Sequence, residues 1–450
     1  MKDLTQGSIP RHIVAMAVPM AIGMLVQTLY FLVDLYFVAR LGDAAIAGVS
    51  LGGTVMYIVL GLTQMLGVGT VALIAQAVGR KDPADANLVF NQSIVLSALC
   101  AVLTLAGGYG LGRVYLHSIG ADAATTAAGI EYLDWYLPGL ALQFALVSMG
   151  SALRGTGIVK PTMIVQMLTL VMNIVLAPVL IAGWGTGRPL GVAGAGLASS
   201  LSVAFGVVLM ALYFVRMEKY VGFHREQWQP RLATWKRMLA IGFPAGAEFA
   251  LMFLFMGVIY AAISSFGAAA QAGFGIGGRI MQAIFLPAMA IAFSAPAIAG
   301  QNVGARLPAR VRETLNVALL MSSAVMFALT LFCQWRPAWL VGAFTGEAEV
   351  IAVGATFLAI ISWNFVAQGI IFTCSGLFQA LGNTWPSLAS TAVRVVTFAL
   401  PVFWLSHRPG FRIEHVWTVS VATVALQALM SYALVRREMA RKLGPSVAAA

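Results

Sequence analysis

"LGDAAIAGVSLGG" (41–53) and "FGAAAQAGFGIGG" (266–278) are the same phrase written twice. The two copies lie 225 residues apart, and the register holds well beyond them: "AQAVGRKDPA" (75–84) falls on "GQNVGARLPA" (300–309). Between positions 42 and 84, fourteen of 43 residues match their partners. Pro19 falls on Pro244, Gln143 on Gln368, Gly157 on Gly382 and Pro161 on Pro386. A biased composition produces chance matches of Ala and Leu. It does not produce one gapless offset that also pairs Pro, Gln and the Gly-Gly dipeptides. The chain is an internal duplication.

What is duplicated follows from the composition. Of 450 residues, 60% are hydrophobic and only 10% charged, against about 25% charged in soluble domains. The apolar residues form runs long enough to span a bilayer as helices, too long and too continuous for barrel strands. Twelve such stretches stand out, near 13–39, 46–75, 89–111, 126–150, 160–183, 190–215, 237–263, 270–300, 314–334, 349–375, 384–405 and 415–435. Each copy holds six, an even number, so both copies enter the membrane from the same side as a parallel repeat. The expected fold is an all-α polytopic membrane protein. Its parts are an N-terminal six-helix lobe (1–215), a basic linker (216–237) and a C-terminal six-helix lobe (238–450).

Lys and Arg set the expected orientation. With the N-terminus inside, nineteen basic residues fall in inner segments and six in outer ones (Arg40, Arg113, Arg188, Arg336, Arg408 and Arg412). This bias places both termini in the cytoplasm. The N-terminal apolar run exceeds a signal-peptide core and lacks a small-residue cleavage site, so the first span is expected to be retained. The net charge of +11 is then a topology signal, and dispersed loop charges give no nucleic-acid footprint. Cys100, Cys333 and Cys374 sit in apolar stretches, and the five histidines fall in loops or at span ends. Neither set has a metal-ligand spacing or a disulfide framework. The sequence also shows no phosphate-binding loop, nucleophile elbow or catalytic carboxylate pair, which argues against a primary pump or an enzyme.

Ionisable residues inside spans are rare, and each is a site candidate. Four are placed there: Asp34, Glu248, Arg279 and Arg394. Asp34 lies about twenty residues, ~30 Å of helix, beyond the inner start of its span. It reads as a protonatable switch or as a structural carboxylate. Glu248, Arg279 and Arg394 fall near mid-depth in the second lobe. There Glu248 either pairs with one arginine, leaving the other free, or binds a coupling cation or cationic substrate. Gln27, Gln64, Gln143, Gln166, Asn173, Gln282, Asn364 and Gln368 add neutral polar groups, some as interhelical glue and some as cleft lining. The chain has 21 Met and 25 Phe, which suit a cleft for bulky, varied apolar ligands.

These residues resemble the multidrug and toxic compound extrusion (MATE) family of transporters. "VDLYFVARLGDAAIAGVSLG" (33–52) is similar to the first-span signature. "ALRGTGIVKP" (152–161) resembles the "LRGxGxxxxP" motif after span four, with "QALGNTWP" (379–386) as its degraded echo. "NIVLAP" (173–178) resembles the span-five motif, and "IGFPAGAE" (241–248) the start of span seven in the DinF-like bacterial branch. The likeness runs from about 10 to 435. It implies two pseudo-symmetric lobes around a V-shaped cleft, and export of amphipathic, often cationic organic compounds in exchange for protons or sodium. By analogy Asp34 is the first-lobe proton site with Asn173 beside it. Two departures stand out. Ala177 replaces the usual acidic or amide residue before the span-five proline, thinning the network around Asp34. Met252 and Gln368 replace the second-lobe carboxylates linked with sodium. Glu248 sits one helical turn before Met252; this pattern tilts the expectation toward proton coupling through Asp34 and leaves Glu248 as a secondary candidate.

The expectation is therefore a proton-coupled multidrug antiporter of the bacterial inner membrane, working as a monomer in the bilayer on small organic substrates. No cofactor is expected beyond the coupling ion, H+ or else Na+. The cleft candidates are Gln64, Glu248, Arg279, Gln282, Gln368 and Arg394. A sodium-coupled exporter is one alternative; a flippase or exporter of anionic or lipid-linked molecules, suggested by the two arginines, is another.

Overall fold

A computed structural model describes residues 1–119 and 122–444. It is helical, with no strand among the described residues. In hydrocarbon every backbone N–H and C=O needs an internal partner, and the helix supplies one within its own segment. The first copy contains α1 (Ile9–Val38), α2 (Asp43–Gly52), α3 (Thr54–Gly79), α4 (Pro83–Ser118), α5 (Ala123–Gly155), α6 (Lys160–Ile181) and α7 (Gly191–Arg216). The second contains α8 (Leu232–Ile263), α9 (Ala268–Gly304), α10 (Pro308–Trp335), α11 (Pro337–Gly342), α12 (Ala348–Ile361), α13 (Asn364–Ala380), α14 (Trp385–Ser406) and α15 (Ile413–Leu443). Among the described residues eleven helical stretches are long and apolar enough to cross a membrane, and α12 with α13, bent by 57° at their junction, makes up to 12. The chain is a multi-pass membrane protein, and each of the twelve stretches expected from sequence falls on helix, with 46–75 shared between α2 and α3 and 349–375 between α12 and α13.

The offset read from the sequence governs the backbone. α6 starts and ends 225 residues before α14, and α1 ends 225 before α8. The turn after α3 closes with Lys81 N–H donating to the Val78 carbonyl and Asp82 N–H to Ala77, at 3.0 Å each. The turn after α9 repeats this, Arg306 to Val303 at 3.1 Å and Leu307 to Asn302 at 2.9 Å. Such a C-terminal lock requires a left-handed residue. Lys81 and Arg306 supply it at φ 57° and 56°, where glycine would be easier. Two departures from the repeat occur in the second copy. α4 runs unbroken whereas α10 stops at Trp335 and α11 begins at Pro337, and α5 is matched by the bent pair α12–α13.

The chain divides into two compact units. Unit 1 comprises Met1–Asp3 and Ile22–Gly242; unit 2 comprises Leu4–Ala21 and Phe243–Ala450. This division differs from one drawn by sequence copy. The first half of α1 belongs to unit 2, and the first part of α8 belongs to unit 1. The basic segment 216–237, read from sequence as a linker, is part of unit 1. Its anchorage is specific. Asn87, Asn91 and Gln92 on α4 spend their side-chain amides on it. Asn87 bonds Tyr220 and Gly222, Asn91 bonds Gly222, His224, Gln227 and Trp228, and Gln92 bonds Gln227, Gln229 and Arg231, over 2.5–3.1 Å. Phe90 stacks on Phe214 at 4.7 Å and meets Phe223 at 5.3 Å. Arg237, in the first turns of α8, adds a two-point ion pair to Asp85 at 3.0 Å.

Within unit 1 the start of α8 crosses α3 backbone to backbone. A Cβ on Gly69 would run into the Met238 carbonyl, and one on Gly242 into the Met65 carbonyl. Small residues at such crossings allow the close approach on which packing in lipid depends. Gly69→Leu is expected to cost about 1–3 kcal/mol through overpacking. It should lower the thermal unfolding midpoint of the detergent-solubilised protein. Gly107→Leu on α4, where a Cβ meets nothing within 4 Å, should leave the midpoint unchanged.

Candidate functional site

Two polar clusters lie among the apolar helices, one in each unit. In unit 1, Asp34 sits in the last turns of α1, half-buried. Asn173 on α6 donates from Nδ2 to Asp34 Oδ1 at 3.2 Å, and Ser199 on α7 donates from Oγ to Oδ2 at 2.8 Å. Asn173 and Ser199 are themselves buried. Tyr30, one turn before Asp34, and Tyr132 and Tyr136 on α5 stand close enough to interact with its charge. Among the described residues no Lys, Arg or His pairs with Asp34. The carboxylate is held by neutral donors alone.

This arrangement accommodates two protonation states. An ionised carboxylate only accepts, and here it receives an amide N–H and a hydroxyl. A protonated carboxyl must also donate. Asn173 Oδ1 is buried without a partner, as is the Tyr30 hydroxyl. A half-turn of the Asn173 amide would present that oxygen to a carboxyl O–H, giving the proton an acceptor.

The expected pair of Asp34 and Asn173 is therefore brought together. Ser199 and Tyr30 were not anticipated. Ala177 is fully buried, as the thinner span-five motif requires, and the second donor comes from α7 instead. The serine pair in "GLASSLSVAFG" (196–206) was the available signal, but serines are common in tightly packed spans.

In unit 2, Glu248 lies half-buried midway along α8. Ser387 donates to its Oε2 at 2.9 Å and Thr391 to its Oε1 at 3.1 Å. Thr391 Oγ1 in turn accepts from Gln427 Nε2 at 3.0 Å, and Gln427 Oε1 accepts from Arg394 at 3.4 Å. Arg394 also reaches Gln368 Oε1 at 3.4 Å, and its guanidinium lies over the Phe255 ring at 4.3 Å. Donors run in one direction, from Arg394 through Gln427 and Thr391 to Glu248. Neither arginine forms an ion pair with Glu248. The carboxylate and guanidinium are joined through two neutral side chains, which spares both the geometry a direct buried pair demands. Ser387, Thr391 and Arg394 recur at four- and three-residue spacing, one face of α14. That spacing was visible in the sequence, whereas Gln427 on α15 was not distinguishable from other amides.

The remaining cleft candidates are not gathered into either cluster. Arg279 and Gln282 are exposed on α9, and Gln64 is half-buried on α3. Among the described residues no three or more His, Cys, Asp or Glu side chains are grouped to hold a metal.

The duplicated backbone carries different chemistry at equivalent positions. Asp34, Asn173 and Ser199 correspond to Ile259, Phe398 and Val424, all buried and apolar. Glu248 and Thr391 correspond to Gly23 and Gln166. In unit 1 a Cβ on Gly23 would strike the Gln166 amide oxygen. The same space is filled from α6 in one unit and from α8 in the other.

Thr391→Val keeps shape but removes the hydroxyl between Glu248 and Gln427. It should cost about 1–3 kcal/mol, since two buried polar groups lose a partner. The thermal midpoint should fall, while Thr397→Val, whose hydroxyl bonds only its own helix, should not change it.

Comparison with known proteins agrees with this architecture. The MatE family profile matches residues 19–179 and 244–405. The probable multidrug resistance protein YpnP of Bacillus subtilis is 25% identical over 92% of this chain and 90% of its own. The multidrug export protein MepA of Staphylococcus saprophyticus is 24% identical over 96% and 95%. An FAD transporter of Shewanella oneidensis is 23% identical over 89% and 90%. Among solved structures, an outward-facing multidrug resistance MATE family transporter of the MOP superfamily superposes with a TM-score of 0.91 at 26% identity, covering 98% of this chain and 99% of that one. A MOP superfamily transporter from Pyrococcus furiosus, described as having a binding pocket of reverse polarity that suggests a different function, gives 0.90 at 25% identity over 98% of both.

Proposed function

Because the chain belongs to the MATE family, we propose that it is a secondary antiporter. It expels amphipathic, cationic organic compounds by alternating access in exchange for protons, and Asp34 carries the proton. The observation that supports this reading is the Asp34 site itself. Its carboxylate is bound by Asn173 and Ser199 with no basic partner among the described residues, and acceptors stand ready for the protonated form. A carboxylate left to neutral donors, with no cation held against it and no arginine linked to it through a chain of hydrogen bonds as at Glu248, is free to exchange its charge. The relatives YpnP and MepA, named for multidrug resistance and export, support the substrate class. The relatives are transporters, which favours transport over catalysis. The Lys and Arg distribution supports an inner-membrane protein with both termini in the cytoplasm.

The test is export of a fluorescent organic cation from sealed vesicles under an imposed pH gradient, with and without sodium. Wild type should export on the pH gradient alone. Asp34→Asn, which keeps the volume and the Ser199 contact, should lose at least tenfold in rate. Undiminished transport by Asp34→Asn, or an absolute requirement for sodium, would overturn proton coupling through Asp34.

A second reading, export of anionic compounds, rests on Arg394. Among the described residues its charge is met by amide oxygens and an aromatic face. The FAD transporter relative and the structure described as having a pocket of reverse polarity favour it. Competition separates the two: organic cations should inhibit dye export at lower concentration than matched organic anions on the first reading, and at higher concentration on the second.

A further inference from the structure

The repeat breaks at Arg336. In unit 1, α4 continues straight through Leu111 and Gly112, the equivalents of Arg336 and Pro337. In unit 2 the proline forces its predecessor out of the helical region, and Arg336 adopts φ −147°, ψ 69°. The chain turns there into the short α11 at the very end of a candidate membrane span. The side chains change with the backbone. Gly107, Gly110, Leu111 and Val114 of the first copy become Phe332, Trp335, Arg336 and Trp339. These four, with Leu340, line a cavity of about 240 Å³ on the surface of unit 2. Trp335 and Trp339 are 74% and 64% exposed, so the cavity walls face outward. Arg336 leans over the Trp335 ring at 5.6 Å and forms no ion pair among the described residues.

We propose that this break is a binding site for one anionic phospholipid. The Arg336 guanidinium takes the phosphate and headgroup charge, and the cavity between Phe332, Trp339 and Leu340 takes the upper part of an acyl chain. Three features single out this occupant. The site lies where a span ends, the level at which lipid phosphates and tryptophans concentrate. The cavity is lined by aromatic and aliphatic side chains, which suits hydrocarbon. Its one charge is a guanidinium whose planar donors match a phosphate and lack a protein partner. A soluble anion would gain nothing from the apolar walls, and an uncharged lipid would leave the arginine unmet. The duplication strengthens the argument. The equivalent stretch of unit 1 is an uninterrupted helix in which Gly107, Gly110, Leu111 and Val114 stand where Phe332, Trp335, Arg336 and Trp339 do, and its own arginine, Arg113, is paired with Asp134, so the break, the tryptophans and the unpaired arginine are not demanded by the fold. This site is separate from Asp34 and Glu248 and does not depend on the transport reading.

The test uses the full-length protein, delipidated in detergent, with thermal unfolding followed on adding phosphatidylglycerol or phosphatidylcholine. Wild type should gain several degrees more from phosphatidylglycerol than from phosphatidylcholine. Native mass spectrometry should retain one phosphatidylglycerol per chain. Arg336→Gln should abolish the difference between the two lipids, and Arg336→Lys should keep part of it. Arg408→Gln, which removes an arginine that stacks similarly over Trp404, should keep it in full. Trp339→Ala should weaken the response to both lipids. Equal effects of the two lipids on wild type, a full phosphatidylglycerol response in Arg336→Gln, or the same stabilisation by millimolar inorganic phosphate would each overturn the proposal.

Discussion

A carboxylate surrounded by hydrocarbon-facing helices must be neutralised, hydrogen-bonded or protonated, and in unit 1 the protein has chosen neutral hydrogen bonds. Asn173 and Ser199 reach Asp34 from two different helices. Its position near the end of α1 thereby ties together α1, α6 and α7. A fixed arginine in place of either donor would make a stronger pair but also a permanent one. The cost of burying a charge is met by donors that tolerate its loss, because Asn173 carries a second, unused oxygen. Elsewhere in unit 1 other contacts set the packing. Gly69 and Gly242 allow the backbone crossing of α3 and α8, and the amides of α4 bind the segment 220–231.

Duplication provides a scaffold and then permits the two copies to diverge. Turns, caps and even the strained left-handed residues Lys81 and Arg306 are preserved at one offset. The polar residues are not. The Asp34 triad is matched by a dry trio in unit 2, while unit 2 carries its own chain from Arg394 to Glu248 at positions where unit 1 has Gly23, Gln166, Thr169 and Ser202. A symmetric fold thus holds an asymmetric charge distribution, which is what a transporter needs if ion and substrate are to be handled by different residues.

The fold was legible because its signals are long-range and redundant. Span length is dictated by bilayer thickness, and the repeat is written over hundreds of residues. The buried acids and arginines were legible because charge inside an apolar run is conspicuous. Their partners were harder to read. Ser199, Ser387, Thr391 and Gln427 are short or neutral side chains that occur throughout membrane helices, and which of them meets a carboxylate depends on helix rotation and crossing. The same limit explains why Glu248 could not be assigned a partner from sequence: no arginine takes that place, and two hydroxyls do. Arg279 and Gln282 looked equivalent to Arg394 and Gln368 in depth, yet on α9 they are exposed and stand outside both clusters. The exchange of helix starts between units leaves no mark in the spacing of apolar residues, because it concerns which neighbours a helix meets and not whether it forms.

The most direct measurement is proton release on substrate binding. Purified protein in weakly buffered detergent is mixed with an organic cation, and the proton balance is followed with a pH indicator, for wild type and Asp34→Asn. The account predicts release of up to one proton per chain from wild type and none from Asp34→Asn, with binding retained. The same release from both proteins would contradict the assignment of the exchangeable proton to Asp34.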